Sequence, residues 1–299
     1  MDFVDMEKLY CMGDRGLHAA SEKHVQNGLA MFRFGSGRPV LWMPYPMAAF
    51  TTADWVPLAS RLAFLDAGFS VLTFDPPGSG ESPRKPEVTM DEMISCALET
   101  VRHFSVREAP VVTGHSQGAA VALAWALRKP ELTSSLVLIS ASGSGARTRS
   151  AAGAIWNRTH PAYRGFLLRA ALFAALPFGF SQRVLYRYVF RYSIQNPRLL
   201  GTIEPDVPAL FAPASQRRKW LRVANRFNVE PRLHEITRPV LLLAGRHDPQ
   251  TPLTCTEHLK SELPNAALHV FEQSGHYPFL DEPEIYASVV ANFLTYSKR

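Results

Sequence analysis

Fifteen residues near the middle of the chain, Pro110 to Ala124 (PVVTGHSQGAAVALA), constrain its fold more than any others. The β-branched run Val111, Val112, Thr113 predicts a buried strand, and the alanine-rich segment from Gly118 predicts a helix. Between them stands Gly114-His115-Ser116-Gln117-Gly118, a G-x-S-x-G pattern in a strand–turn–helix setting. A strand that turns at once into a helix holds its middle residue in a strained conformation with the side chain pointing outward. Glycine two residues to either side lets strand and helix pass closely. The helix N-terminus behind Ser116 favours negative charge developing on a bound molecule. Ser116 is therefore the candidate nucleophile.

The rest of the chain supplies the sheet such a turn needs. Leu29 to Phe34 and Pro39 to Trp42 read as successive strands around the turn Gly35-Ser36-Gly37. Asp54 to Ala67 has helical spacing and ends at Gly68, and Phe69 to Phe74 is a further strand running into the loop Asp75-Pro76-Pro77-Gly78-Ser79-Gly80. Met90 to Phe104 reads as a helix, Ser135 to Ser140 as a strand, and one more strand is expected near Lys8 to Met12. From about Gly143 to Arg232 strand-like runs give way to helical, aromatic and arginine-rich segments. Strands resume at Pro239 to Ala244 and Ala267 to Phe271, and Asp281 to Tyr296 closes the chain as a helix with Pro283 in its first turn. Strands alternating with helices predict an α/β fold with a mostly parallel sheet covered on both faces. The expected division is a core of residues 1–142 and 233–299 with residues 143–232 inserted over the C-terminal edge of the strands, where ligands bind.

A serine hydroxyl needs a neighbouring base, itself oriented by a third group. Two loops supply candidates in the order this kind of sheet uses. Gly245-Arg246-His247-Asp248-Pro249 places Asp248 just past a strand, and Gln273-Ser274-Gly275-His276-Tyr277 does the same for His276. His247 and Glu272 each have a better placed neighbour, His115 is expected to pack, and Asp281 and Glu282 to start the final helix. A tetrahedral intermediate also needs two aligned N–H donors. The Gln117 N–H, next after the nucleophile, is one. The other is expected from Met43-Pro44-Tyr45-Pro46-Met47, where the prolines have no N–H, so Tyr45 is first choice and Met47 second.

Composition narrows the partners. Three separated cysteines (Cys11, Cys96, Cys255) form neither a disulfide framework nor a metal signature and suit the cytoplasm. The first residues lack a signal-peptide pattern, and the longest apolar run, Phe166 to Phe180, is broken by Arg169 and Pro177, so no membrane partner is expected. Residues 144–232 hold fourteen Arg and one Lys against Glu204, Asp206 and Glu230, a charge of +12 that leaves the remainder at −6. The same segment carries thirteen aromatics, among them Trp156, Phe166, Phe173, Phe178, Tyr186, Phe190, Phe211 and Trp220. Amphipathic helices with arginine outside and aromatics inside explain both counts, and no nucleic-acid motif accompanies the arginines. A pocket walled by such aromatics would suit a large lipophilic substrate.

At this point the GHSQG, FDPPGSGES, GRHDPQTP and QSGHYPFLDEP segments together resemble the α/β-hydrolase fold, and the last two are most similar to its esterase and proline-iminopeptidase branch. The resemblance implies a serine hydrolase with Ser116, Asp248 and His276 as the triad, a cap domain over the site, and no cofactor or metal. The oxyanion loop departs from the His-Gly-Gly-Pro-Gly common in that branch. Three acidic residues in the cap, none clustered with an aromatic pair, are poor recognition for a free N-terminal ammonium. Ester or lactone hydrolysis is therefore expected ahead of peptide cleavage, and a looser resemblance extends this to macrolide esterases. Acyl transfer to an alcohol or amine, and a small-molecule receptor on the same fold, are the alternatives.

Overall fold

The protein is described by a computed structural model over residues 20–45, 58–84, 87, 89–158, 193–195 and 214–296. Its strands are β1 (Glu22–Gln26), β2 (Leu29–Phe34), β3 (Arg38–Met43), β4 (Phe69–Phe74), β5 (Val111–His115), β6 (Ser135–Ile139), β7 (Val240–Gly245) and β8 (Ala266–Phe271). The helices are α1 (Leu58–Asp66), α2 (Met90–His103), α3 (Gln117–Arg128), α4 (Gly145–Arg158), α5 (Ala214–Arg226), α6 (Leu253–Glu262), α7 (Pro278–Asp281) and α8 (Pro283–Tyr296). One sheet joins the strands in the order β1-β2-β4-β3-β5-β6-β7-β8. Only the β1–β2 and β2–β4 pairs are antiparallel; from β4 through β3, β5, β6 and β7 to β8 every pair is parallel.

Alternate residues of the central strands feed two apolar layers, as period-two geometry requires. On one face Leu41, Val112, Leu136, Leu138 and Leu242 pack with Met93, Ala97 and Val101 of α2 and Val121 and Trp125 of α3. On the other, Val40, Val111, Val137, Ile139, Leu241 and Leu243 pack with Phe64 of α1 and Tyr286, Val290 and Leu294 of α8. Burial on both faces is why these strands read as continuous apolar runs. Because they run parallel, the chain leaves β3, β5, β6, β7 and β8 at one edge of the sheet, and every candidate site residue lies one loop beyond that edge.

Three elements depart from what the sequence predicts. The strand β1 was not foreseen because all five of its residues are exposed, although Asn27-Gly28 (φ 50° and 72°) forms the two-residue hairpin turn that an Asn-Gly pair favours. The segment after Asp248 holds α6, which its low amphipathicity concealed. The closing helix is interrupted: α7 ends at Asp281, and Pro283 begins α8 instead of sitting within one helix. The expected strand near Lys8 to Met12 lies outside the described residues. No helix among the described residues is long and apolar enough to cross a membrane.

Candidate active site

The turn between β5 and α3 has the expected strain. Ser116 has φ 55° and ψ −113°, a left-handed conformation rare for a residue with a Cβ. Its N–H donates to the Ile139 carbonyl of β6 at 2.8 Å, which locks the turn onto the next strand. Both flanking glycines are sterically required. A Cβ on Gly114 would lie 2.4 Å from the Gly118 carbonyl carbon, and one on Gly118 would lie 2.4 Å from the Met43 carbonyl oxygen. That second contact also shows that the chain leaving β3 runs directly over the start of α3. Half-buried Tyr45 follows two residues later, whereas Met47 lies outside the described residues. Gln117, first residue of α3, has no intrahelical acceptor for its N–H.

The acid and the imidazole meet. His276 Nδ1 and Asp248 Oδ2 are 2.7 Å apart, with side chains 2% and 0% exposed. The other oxygen of Asp248 accepts the backbone N–H groups of Gln250 (2.8 Å) and Thr251 (2.9 Å), so the carboxylate is held from both sides. With Nδ1 donating to Asp248, neutral His276 presents Nε2 as a proton acceptor. The Ser116 hydroxyl makes no hydrogen bond among the described residues, to His276 or to any other group. In free enzymes such contacts are often long and tighten only with substrate. What joins the two loops is the neighbouring residue: His115 Nε2–H donates to the His276 carbonyl at 2.8 Å, and the two rings are 4.6 Å apart.

His115 thus packs, as expected, and also anchors the base. The rings of His276, Tyr277 and Phe279 enclose it. Burial, with the adjacent His276 adding to it, holds its pKa well below 6.5, so it is the neutral Nε2–H form that makes the bond. Ser140, at the end of β6, donates to the same carbonyl at 3.0 Å.

Several residues that hold the site were not identified from sequence. Asp281 and Glu282 do more than begin a helix. Asp281 accepts the Gly275 N–H (2.9 Å) and the Gln195 N–H (2.8 Å), and Glu282 accepts the Gln273 N–H (2.9 Å) and the Ser274 hydroxyl (2.7 Å). Ser193 accepts the His276 N–H on its carbonyl at 2.8 Å and the Gln250 side-chain N–H on its hydroxyl at 2.9 Å. Trp220 of α5, 1% exposed, donates its indole N–H to the Gln117 side-chain oxygen, while Arg218, Lys219, Arg222 and Arg226 of the same helix face solvent. That helix follows the expected arginine-out, aromatic-in pattern. Phe166, Phe173, Phe178, Tyr186, Phe190 and Phe211 lie outside the described residues, as does the side chain of Trp156. Loop N–H groups need acceptors, so carboxylates just after the Gln273-Ser274-Gly275 loop were the available signal for Asp281 and Glu282. Trp220 is among the aromatics expected to face inward, but nothing local in the sequence pairs it with Gln117, and nothing announces Ser193.

Ser116 and Gln117 open on a cavity of about 200 Å³ that the acid loop also lines, through Gln250 and Thr251. No group of three or more His, Cys, Asp and Glu side chains that could hold a metal ion occurs among the described residues. A family model described as "alpha/beta hydrolase fold" matches residues 47–283. The chain belongs to the α/β-hydrolase fold family. This α/β hydrolase is 27% identical to a protein of Stutzerimonas stutzeri named "Putative carbamate hydrolase RutD", over 81% of this chain and 86% of that one. An esterase of Exiguobacterium antarcticum superposes with a TM-score of 0.69 at 18% identity, covering 94% of this chain and 100% of the other. A proline iminopeptidase of Mycobacterium smegmatis gives the same TM-score of 0.69 at 19% identity, covering 92% and 98%. These two structures share the fold.

Proposed function

We propose that this α/β hydrolase is a serine-dependent carboxylic-ester hydrolase working through an acyl-enzyme. The observation that supports it best is the buried 2.7 Å pairing of Asp248 with His276 Nδ1 beside a strained elbow serine. His276 Nε2 takes the Ser116 proton as Oγ bonds to the ester carbonyl carbon. Asp248 stabilises the imidazolium, and the N–H groups of Gln117 and Tyr45 hold the oxyanion. The C–O bond then breaks, and the alcohol leaves with the proton from His276. Water, deprotonated by His276, attacks the acyl carbon; the acid departs and Ser116 recovers its proton.

In this reading residues 143–232 are a cap over the 1–142 and 233–299 core. Bulky lipophilic esters, lactones and macrolactone rings are the substrates first to be tried, because the aromatic composition of the cap favours them. The name of the Stutzerimonas stutzeri relative adds carbamates, which the same attack on a carbonyl would serve. The test is steady-state turnover of p-nitrophenyl esters, lactones, macrolides, carbamates and proline amides by the wild type and by Ser116→Ala. The proposal expects ester turnover that falls by at least about 10³-fold in the variant. Retained turnover in a folded Ser116→Ala protein would end it.

A further inference from the structure

The cavity beside Ser116 has a lining that the triad does not use. Besides the nucleophile, five hydroxyls line it, and four of them have their single proton committed to the protein. Ser140 donates to the His276 carbonyl (3.0 Å), and Ser142 and Thr148 both donate to the Ser144 carbonyl (3.0 and 3.1 Å). Ser144 donates to the Glu230 carboxylate at 3.2 Å. A hydroxyl has one proton and two lone pairs; Ser142 and Ser144 already spend one pair on the backbone N–H groups of Ser144 and Arg147, and Ser140 and Ser144 are buried, so it is half-buried Ser142 and Thr148 that present a lone pair to whatever enters. The fifth hydroxyl, Thr251, belongs to the acid loop.

Two amides in the same lining are oriented the opposite way. An indole N–H and a guanidinium only donate, so the group facing each must be an oxygen. Gln117 therefore turns its Oε1 to Trp220, and Asn225 turns its Oδ1 to Arg149 at 2.8 Å. What these amides have left for a ligand is N–H. This part of the lining is thus acceptor hydroxyls with amide donors, beside an apolar part made by Met90, Ala120, Trp220, Leu221, Ala224 and Phe227, and burying a methyl or a methylene against the polar part would strip water from groups left unpaired. A carboxylate or an ether can only accept, and leaves the hydroxyl row unmatched. An ammonium can only donate, and would sit among amide N–H groups and Arg149. A neutral hydroxyl does both.

We infer that this cavity selects esters carrying a free hydroxyl on the part of the substrate that lies against α4 and α5. The inference rests on the ester-hydrolase reading of Ser116 and adds to it the polarity of the substrate. It is compatible with a large substrate, provided that substrate is hydroxylated where it enters this cavity.

The experiment compares p-nitrophenyl esters whose acyl chain bears a hydroxyl at carbon 3, 4, 5 or 6 with isosteres bearing methyl or methoxy there. A matching series varies the alcohol half. At one position or more, the hydroxyl compound is expected to exceed both isosteres in kcat/KM by at least about tenfold. The hydroxyl-to-methyl ratio should then fall towards one in Thr148→Val and, independently, in Ser142→Ala. These two variants keep the inference testable if either fails to fold. Turnover with no hydroxyl preference at any position in either half overturns the inference and leaves the ester reading standing. A ratio unchanged in both variants, once folded, also overturns it. No turnover of any ester, with no reaction at Ser116, overturns both.

Discussion

Asp248→Asn is the substitution whose outcome the geometry determines most fully. One carboxylate oxygen of Asp248 accepts two backbone N–H groups, from Gln250 and Thr251, and the other meets His276 Nδ1. In asparagine the carbonyl oxygen must keep the two N–H groups, because an NH2 turned that way would face two donors. The NH2 then points at Nδ1, which has to accept. The imidazole proton moves to Nε2, and the nitrogen proposed to take the Ser116 proton no longer accepts one. A wrong tautomer of this kind in a serine triad lowers kcat by about 10⁴-fold, equivalent to about 5.5 kcal/mol of transition-state stabilisation. Both backbone bonds survive, so the melting temperature should move by no more than a few degrees. The assay is kcat on p-nitrophenyl butyrate, with thermal melts and circular dichroism confirming the fold. A folded Asp248→Asn enzyme within tenfold of the wild-type kcat would show that Asp248 does not set the His276 tautomer used in turnover.

Three further outcomes follow from the same contacts. In Gly245→Ala the new Cβ would fall 1.9 Å from the Gly275 carbonyl oxygen and 2.6 Å from that of Ser274, forcing the acid and histidine loops apart; kcat on the same ester should drop at least about 100-fold, and wild-type kinetics would count against the packing. Trp220→Phe removes the N–H that Gln117 accepts, leaving a carbonyl unpaired at a cost of about 1–3 kcal/mol; thermal melts should show a loss of a few degrees and kinetics a fall in kcat larger than any change in KM, and an unchanged variant would show that the bond contributes nothing. His115 stays neutral in the fold at a pH where the unfolded chain, with its imidazole near 6.5, takes up a proton. Stability therefore falls as pH drops below about 6.5, by about 1.4 kcal/mol per pH unit from this residue until its own lowered pKa is reached; urea titrations between pH 7.5 and 5.5 should show a shallower loss in His115→Gln, and parallel slopes would exclude the effect.

The legible parts of this protein are those where a local pattern has a single structural outcome. Val111 to Thr113 followed at once by Gly-His-Ser-Gln-Gly leaves few alternatives to a strained elbow, because Cβ atoms at Gly114 and Gly118 would collide with backbone. The strands buried on both faces announce themselves as apolar runs, and parallel order then carries Asp248 and His276 to the same edge as Ser116. Exposed β1 has no such signature, since an edge strand with every side chain in water carries no alternation. The supporting contacts are hidden for another reason. Trp220 meets Gln117 from 103 residues away and Ser193 meets the His276 backbone, and neither pairing has a local pattern to reveal it. Asp281 and Glu282 lay in view, but a carboxylate near a helix start has two uses, and only the loop N–H groups folded back on them decide between capping and clasping.

The proposed chemistry stands on Ser116 being an activated nucleophile. Labelling with a fluorophosphonate, followed by peptide mass spectrometry, measures this directly. The expected result is one adduct, on the peptide containing Ser116, formed in the wild type, absent in Ser116→Ala and strongly slowed in His276→Ala. An adduct on a different residue, or ester turnover by an enzyme whose Ser116 stays unlabelled, would contradict it.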